Sequence, residues 1–315
     1  MKVAVLIMAS NEEPSTSNVE AMRNTFIADT INLMKAGKLR NTYEFFVYSY
    51  AIGPSAHDCA VEENDGVKYL YIDGVESIYN TFEKTVFALG KIGDDYQWYV
   101  RLNISAFLNI RLLDNALRVF DTSKVYCNAI NTYITDETYY NDLYPRGDFL
   151  VFSKAVKNGI LEHSPKYIRC DVANKNRLTV PHVDDCLIGL CLIDYFGQQY
   201  YNHLQMVKYS FLPMHDKLES IAPDNFAIVS RVKTIPPDEK YSGYSWEDNE
   251  WRRKDCEKMQ ILHKYYQNAD YSKIAIQSLI NNVIDKNNVS RATLAVQLTN
   301  ATVPQIIAYL KQKRG

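Results

Sequence analysis

The chain has 315 residues, with 35 basic and 37 acidic side chains and a formal charge of −2. Its 47% hydrophobic and 23% charged residues are typical of a globular protein and exclude wholesale disorder. The near-neutral charge gives no support for a protein that binds nucleic acids or membrane surfaces through a general electrostatic attraction.

Strand-like and helix-like patterns alternate through the first two-thirds of the chain. Continuous apolar runs predict strands at residues 3–8, 45–50, 67–72, 98–102, 125–130, 149–152 and 206–212. Apolar positions at helical spacing predict helices at residues 19–33, 77–89 and 110–119. Ser17 and Glu20 have the spacing of a capping box at the start of the first helix, and Gly37 follows its end. This alternation predicts an α/β fold with a three-layer arrangement around one sheet.

The composition changes near Ile235-Pro236-Pro237, which predicts a boundary at about residue 240. Residues 1–240 then form the α/β domain and residues 241–315 a helical C-terminal region, with one helix at 274–284 and a last one from Thr302. The tail at 290–310 has helix-turn-helix spacing with basic residues nearby, so nucleic-acid binding is one alternative. Plain helix packing, including contact between copies in a homo-oligomer, explains the same pattern.

Cysteine usage and the N-terminus predict a cytoplasmic protein. The six cysteines are scattered and form no Cys-x-x-Cys pair, which favours buried thiols in a reducing compartment. The first apolar run has six residues, fewer than a signal-peptide core and far fewer than the ~20 that span a bilayer. We therefore expect no membrane anchor, and action in the cytoplasm of a bacterium or a virus-infected cell.

Two adjacent carboxylates carry the strongest chemical signal. Asp184 and Asp185 directly precede the apolar run that begins at Cys186, so they lie in the first turn of a predicted helix. A helix N-terminus stabilises an anion, and a carboxylate held there can accept a proton from an attacking hydroxyl. The alternative is a plain helix cap, which acidic residues often supply.

The sequence around this pair resembles a known superfamily of glycosyltransferases. Asp-Asp-Cys-Leu-Ile-Gly-Leu at 184–190 resembles the Asp-Asp-Cys-x-Ile-Gly motif of fringe enzymes and is similar to the Glu-Asp-Val-x-x-Gly motif of β-1,3-galactosyl- and N-acetylglucosaminyltransferases. Three further segments, at 79–85, 144–154 and 211–215, resemble motifs of the superfamily in the same order.

The resemblance implies a GT-A-type, Rossmann-like nucleotide-sugar-binding sheet and an enzyme. The reaction would be inverting transfer of a hexosyl or N-acetylhexosaminyl group from a UDP-sugar to a hydroxyl of a glycan or other acceptor. Asp185 would be the base, and Asp184 would orient the acceptor or bind the sugar. His215 maps onto a metal-binding histidine of the superfamily.

One departure concerns the Asp-x-Asp motif, which in the superfamily binds a divalent ion on the diphosphate. Asn103 and Ser105 stand in its place. Neutral ligands hold Mn²⁺ or Mg²⁺ poorly, so we expect donor binding that is independent of metal or only weakly assisted through Ser105 and His215. Arg101 and Lys84 are the cations expected to neutralise the diphosphate. The alternative is a lost activity, in a non-catalytic protein that still binds sugars or nucleotides.

Loops at the carboxyl ends of parallel strands complete the predicted donor site, because nucleotides bind there in open α/β folds. An ordinary connecting loop is the alternative at each of them. The predicted nucleotide-sugar contacts are Ala9, Ser10, Asn11, Asp73, Lys84, Arg101, Asn103, Ser105 and His215.

Overall fold

The computed structural model describes residues 1–51, 60–74, 76, 80–128, 130–132, 143–168, 183–211, 226–233 and 249–281. The strands are β1 Lys2–Met8, β2 Thr42–Ala51, β3 Ala60–Asn64, β4 Val67–Asp73, β5 Trp98–Asn103, β6 Ala106–Leu108, β7 Val125–Cys127, β8 Ile130–Thr132, β9 Leu143–Pro145, β10 Phe149–Ser153, β11 Leu204–Val207, β12 Tyr209–Phe211, β13 Val229–Arg231 and β14 Ile280–Asn281. The helices are α1 Ser15–Met22, α2 Ala28–Lys35, α3 Thr81–Lys91, α4 Ile110–Ala116, α5 Lys154–His163, α6 Val183–Phe196, α7 Tyr200–His203 and α8 Asn249–Gln267.

The main sheet has nine described strands in the order β14-β11-β7-β10-β5-β1-β2-β4-β3. Strands β5, β1, β2 and β4 run parallel to one another, while β10 is inserted antiparallel between β5 and β7. The carboxyl ends of the parallel strands therefore meet along one edge. We call this edge, with the loops and helix starts that reach it, the carboxyl edge.

Both faces of the sheet are covered, which confirms the predicted three-layer α/β fold. Val3, Val5 and Ile7 of β1 pack in one core with α1, α4 and α8. Ala4 and Leu6 point to the other core, with α3, α5 and α6. The continuous apolar run of β1 follows from this burial, because alternate residues face opposite layers that are both dry.

A second sheet of three short strands lies beside the carboxyl edge. β13 is antiparallel to β6 and parallel to β12, so that Arg231 is paired with Ala106. β12 and part of β11 come from the single strand predicted at 206–212, which is divided between two sheets. The predicted strand at 125–130 is likewise divided, between β7 and a hairpin of β8 with β9.

The first helix begins earlier than the capping-box spacing predicts. α1 starts at Ser15, whose hydroxyl oxygen accepts a hydrogen bond of 2.8 Å from the Ser10 N–H. Ser17 lies inside the helix and donates to the Glu13 carboxylate at 2.6 Å, so it is not available as a cap. Gly37 ends α2 with a φ of +64°, as its position predicts.

The helix predicted at 274–284 is wrong for the residues described, up to 281. Residues 276–279 form a single 3₁₀ turn and Ile280–Asn281 form β14, which is paired with β11. Leu279 is buried in the sheet core, so its apolar character reflects tertiary packing and not a helical stripe.

The described residues beyond the predicted boundary at 240 belong to the α/β core. Met259, Leu262 and Tyr266 of α8 are buried with the β1 core, and the Tyr266 ring stacks on Phe107 with centroids 5.8 Å apart. The shift in composition near 235 therefore does not separate two cores, since α8 covers one face of the sheet. In the part of the chain that is described, no helix has the length and apolar character needed to cross a membrane.

We predict that Leu262→Ala lowers the free energy of unfolding by about 2–5 kcal/mol, because it leaves a cavity in the shared core. Leu262 is 1% exposed, whereas its neighbour Ile261 is 38% exposed. Ile261→Ala is therefore the matched control and should change stability by less than about 1 kcal/mol. Urea unfolding followed by circular dichroism should give one transition for both variants. A separate transition for the C-terminal region would contradict the shared core.

Candidate active site

Polar side chains from five segments converge at the carboxyl edge. β1, β4 and β5 end there, Gly147 and Asp148 precede β10, and the first turn of α6 carries Asp184 and Asp185. The site therefore draws on residues that are far apart in sequence and that the fold brings together.

Arg101 lies at the base of this site with a side chain only 1% exposed. Its Nη2 group donates to Asp184 Oδ2 and its Nη1 group to the Gly147 carbonyl. Its Nε group is 3.4 Å from the Tyr48 hydroxyl. The positive charge of Arg101, which the sequence analysis expected to neutralise a diphosphate, is thus compensated by the buried Asp184 carboxylate. Burial is the largest single effect on the pKa of Arg101 and lowers it, but the charges of Asp184, Tyr48 and Asp185 together outweigh burial, so the pKa is raised.

Asp185 is the more accessible carboxyl of the pair, with its side chain 13% exposed and Oδ1 3.9 Å from Arg101 Nη1. Burial raises the pKa of Asp185 well above its usual range, and the charge and hydrogen bonding of Asp184 raise it further. Arg101 and the Gly147 N–H, which favour the anion, oppose this shift without cancelling it. A carboxyl with a raised pKa is a stronger base once ionised, as proton abstraction from a hydroxyl requires.

Gly147 allows this arrangement because it has no side chain. A Cβ at this position would overlap the carboxylate of Asp185 and the guanidinium of Arg101. The pairing of the arginine with the acidic residues therefore depends on a glycine between β9 and β10.

Lys84 is also buried and paired. Its Nζ group contacts Glu76 Oε1 and donates 2.7 Å to the Ala9 carbonyl. Burial lowers the pKa of Lys84, although the Glu76 carboxylate opposes the shift. Lys84 therefore ties the loop after β1 to the segment after β4, and its charge is compensated by Glu76.

The loop after β1 is hydrogen-bonded to β2. Asn11 donates 2.7 Å to the Tyr50 carbonyl and accepts 2.8 Å from the Ser49 hydroxyl, while its side chain remains exposed. Ser10 donates through its N–H to Ser15. Asp73 is exposed at the end of β4. These predicted donor contacts lie at the same edge as Asp185, whereas His215 lies outside the described residues.

The described residues at the degraded Asp-x-Asp position do not fit a divalent-cation site. Asn103 Oδ1 accepts from the Ser105 N–H at 3.0 Å, and the Ser105 hydroxyl donates 3.4 Å to Asp255 of α8. Hard cations need several anionic oxygens, but Asp255 is fully buried and no cluster of three metal-ligating side chains occurs among the described residues.

A cluster that the sequence did not reveal lies beside Asn103. Arg231 Nη1 and Arg146 Nη2 both contact Asp148 Oδ2, at 2.6 and 3.0 Å. The Asn128 amide donates to the same oxygen at 3.4 Å. The sequence indicates this cluster only through Arg231, which lies in a strand of three residues, and this pattern is too short to predict a site.

Comparison with known proteins leaves the family open. No known protein family and no curated protein matches the chain. A glycosyltransferase involved in glycosylation of the major capsid of PBCV-1 is 10% identical, with a TM-score of 0.41 over 82% of this chain and 99% of that chain. Galactosyltransferase LgtC, in complex with donor and acceptor sugar analogs, is 13% identical, with a TM-score of 0.42 over 85% and 98%. 4-Diphosphocytidyl-2C-methyl-D-erythritol synthase from Anaerococcus prevotii is 13% identical, with a TM-score of 0.36 over 65% and 86%. Similarities below a TM-score of 0.5 place the chain in no family.

We predict that Gly147→Ala destabilises the protein by roughly 1–3 kcal/mol, because the added methyl group must displace Asp185 or Arg101. Gly90→Ala is the matched control, since a Cβ at Gly90 of α3 meets no atom within 4 Å. In a helix the control should be neutral or stabilising. Thermal unfolding of both variants measures the difference, and equal melting temperatures would show that residue 147 has room for a side chain.

The raised pKa of Asp185 predicts a pH-dependent stability. The folded state keeps this proton to a higher pH than the unfolded chain, so its stabilisation is complete below the ordinary aspartate pKa and is lost as pH rises through the raised one. Asp185→Asn cannot ionise, so its melting temperature should rise relative to that of the unmodified protein as the pH increases above the ordinary aspartate pKa.

Asp194 on the same helix gives a control of opposite sign. Burial raises its pKa, but hydrogen bonds from Lys166 and Tyr167 outweigh this and leave the pKa lowered. The carboxylate therefore contributes stability above the unfolded pKa, which is lost as pH falls through the lowered one. Asp194→Asn should thus lose stability relative to the unmodified protein as pH rises. The same pH trend in both variants would contradict the raised pKa of Asp185.

Proposed function

We propose that this chain is a GT-A-type glycosyltransferase that moves a sugar from a nucleotide-sugar, taken to be a UDP-sugar, to a hydroxyl acceptor with inversion. The observation that carries the proposal is the Asp184–Asp185 pair, held by Arg101 at the carboxyl edge of the sheet. Nucleotides bind at this edge in open α/β folds, so a base here is close to the place where a donor is proposed to bind. The motif resemblance at 184–190 supports the same activity.

Asp185 is the proposed general base. Its ionised carboxylate takes the proton of the acceptor hydroxyl while the acceptor oxygen forms a bond to the anomeric carbon. The bond from that carbon to the diphosphate oxygen breaks on the opposite face, and its electron pair leaves with the nucleoside diphosphate. Attack opposite the leaving group inverts the anomeric centre, and Asp185 later releases its proton to solvent.

Asp184 acts through position and charge in this proposal. Its Oδ2 atom is engaged by Arg101, so it fixes the first turn of α6 and raises the proton affinity of its neighbour. If Asp184 also forms a hydrogen bond to the acceptor or the sugar, it does so through Oδ1, because Oδ2 is bonded to Arg101.

The donor is proposed to lie over the loop of Ala9, Ser10 and Asn11 and the end of β4 at Asp73. Lys84 and Arg101 bind the surrounding backbone and carboxylates, so they shape this site more than they supply net charge. Donor binding is proposed to need no divalent ion, given the neutral side chains of Asn103 and Ser105. A UDP affinity that depends strictly on Mn²⁺ would contradict this.

A non-catalytic sugar- or nucleotide-binding protein is the second candidate. It is favoured by the two compensated cations, Lys84 with Glu76 and Arg101 with Asp184, which leave little charge for a departing diphosphate. Transfer or hydrolysis of any nucleotide-sugar would exclude it. Residues of the predicted nucleic-acid-binding tail lie outside those described, and no observation favours that function.

Asp185→Asn should lower kcat by roughly 10²- to 10⁴-fold, because the reaction loses its base. The donor is first identified by screening nucleotide-sugars for a rise in melting temperature, which a bound ligand produces. Transfer is then measured with that donor, and UDP affinity should be unchanged. Asp194→Asn, a carboxylate of the same helix paired with Lys166 at 2.8 Å, is the control and should keep full activity. Retained transfer by folded Asp185→Asn would reject the assignment.

A further inference from the structure

Arg231 lies on the strand next to residues 103–105, which stand in place of the Asp-x-Asp motif. Its strand partner is Ala106, and the next residue, Val232, donates its N–H to the Ser105 carbonyl at 2.9 Å. On the other side, the Asn103 N–H donates to the Asp148 carbonyl at 3.2 Å. Arg231 and its partner Asp148 thus flank the turn at 103–105.

The charge of Arg231 is compensated differently from those of Lys84 and Arg101. Arg231 shares its carboxylate with a second guanidinium, since Arg146 contacts the same Oδ2 atom of Asp148. The negative charge of Asp148 is therefore divided between two cations. Arg101, in contrast, faces two carboxylates.

Two polar groups of the cluster, on Arg231 and Asn128, can still form hydrogen bonds. A guanidinium has five N–H donors in a planar fork, and a described bond uses one of those of Arg231. Arg231 Nε and the Asn128 Oδ1 atom, both buried, have no partner among the described residues. The Arg231 side chain is 12% exposed, so part of it is accessible to solvent. A fork of this kind matches two oxygens of a phosphate.

The same cluster adjoins the proposed base. Gly147 lies directly against the Asp185 carboxylate, and the next residue, Asp148, accepts a hydrogen bond from Arg231. A ligand anion at Arg231 and a reacting hydroxyl at Asp185 would thus lie on neighbouring sides of the segment at 146–148.

We propose that Arg231, supported by Arg146, binds the diphosphate of the donor and takes the part that a divalent ion plays at an intact Asp-x-Asp motif. The inference rests on the proposed function and deepens it by naming the cation that meets the leaving group. The ligand class is a diphosphate ester, recognised through its anionic oxygens and without metal.

The test uses isothermal titration of the full chain with UDP and with inorganic pyrophosphate, each in the presence of EDTA. Arg231→Gln should weaken both affinities at least tenfold. Arg23→Gln is the matched control, because Arg23 also forms an ion pair with an aspartate, Asp65, at 2.6 Å, but near the amino end of β4. It should change neither affinity.

Asp148→Asn is the second variant, and it keeps the test decisive if Arg231→Gln does not fold. Removing the competing carboxylate should tighten pyrophosphate binding several-fold, an effect that misfolding cannot produce. Binding that appears only with Mn²⁺, no binding of either probe, or affinities unchanged in Arg231→Gln would overturn the proposal.

Failure of this proposal is distinguishable from failure of the proposed function. If Arg231→Gln transfers sugar with unaltered kcat and UDP affinity, the proposed diphosphate site is rejected and the proposed transferase function is retained. If pyrophosphate binding depends on Arg231 but no nucleotide-sugar supports transfer, the proposed transferase function is rejected and the anion site at Arg231 is retained.

Discussion

The buried ion pair between Arg101 and Asp184 is the interaction on which the arrangement of the site depends. Taking both ions out of water costs several kcal/mol per ion, so each is stable only while the other is in place. The same guanidinium also bonds Gly147 and approaches Tyr48, which joins β2, β5, the turn before β10 and the start of α6. Asp185 follows Asp184 in the same turn and also approaches Arg101, at 3.9 Å, while burial and the Asp184 charge raise its pKa.

Charge compensation divides the cations at the carboxyl edge into two kinds. Lys84 and Arg101 are matched by Glu76 and by the acidic pair, and both are buried beneath the loops that they hold together. Arg231 shares one carboxylate with another arginine and is partly exposed. Sequence provides the residue types but not these pairings, because Arg101 and Asp184 are 83 positions apart and Arg231 and Asp148 likewise 83. These contacts are the reason why Arg231, and not Lys84 or Arg101, is the cation proposed to bind a diphosphate.

The sequence was sufficient to predict α6 and the parallel strands β1, β2, β4 and β5, and insufficient to predict β3, β14 and the small sheet. A strand buried on both faces must be apolar throughout, so β1 and β5 stand out as continuous runs. β6 and β13 have three residues each, too few to show a period, and their pairing is set by contacts between distant segments. The acidic pair was found because its position before an apolar run is a local signal, whereas Asp148 and Arg231 have no local signal at all.

The segment beyond residue 240 also explains why residue 105 is neutral. α8 places the fully buried carboxyl of Asp255 3.4 Å from the Ser105 hydroxyl, which donates to it. An aspartate at 105 would bring a second carboxylate against the first, and two such groups at this distance cannot both remain ionised without a large cost. A metal between them would need to enter a contact already closed by α8. The packing of α8 against the sheet thus accounts for a neutral residue at 105, because the buried Asp255 carboxyl occupies the place where a second carboxylate would lie.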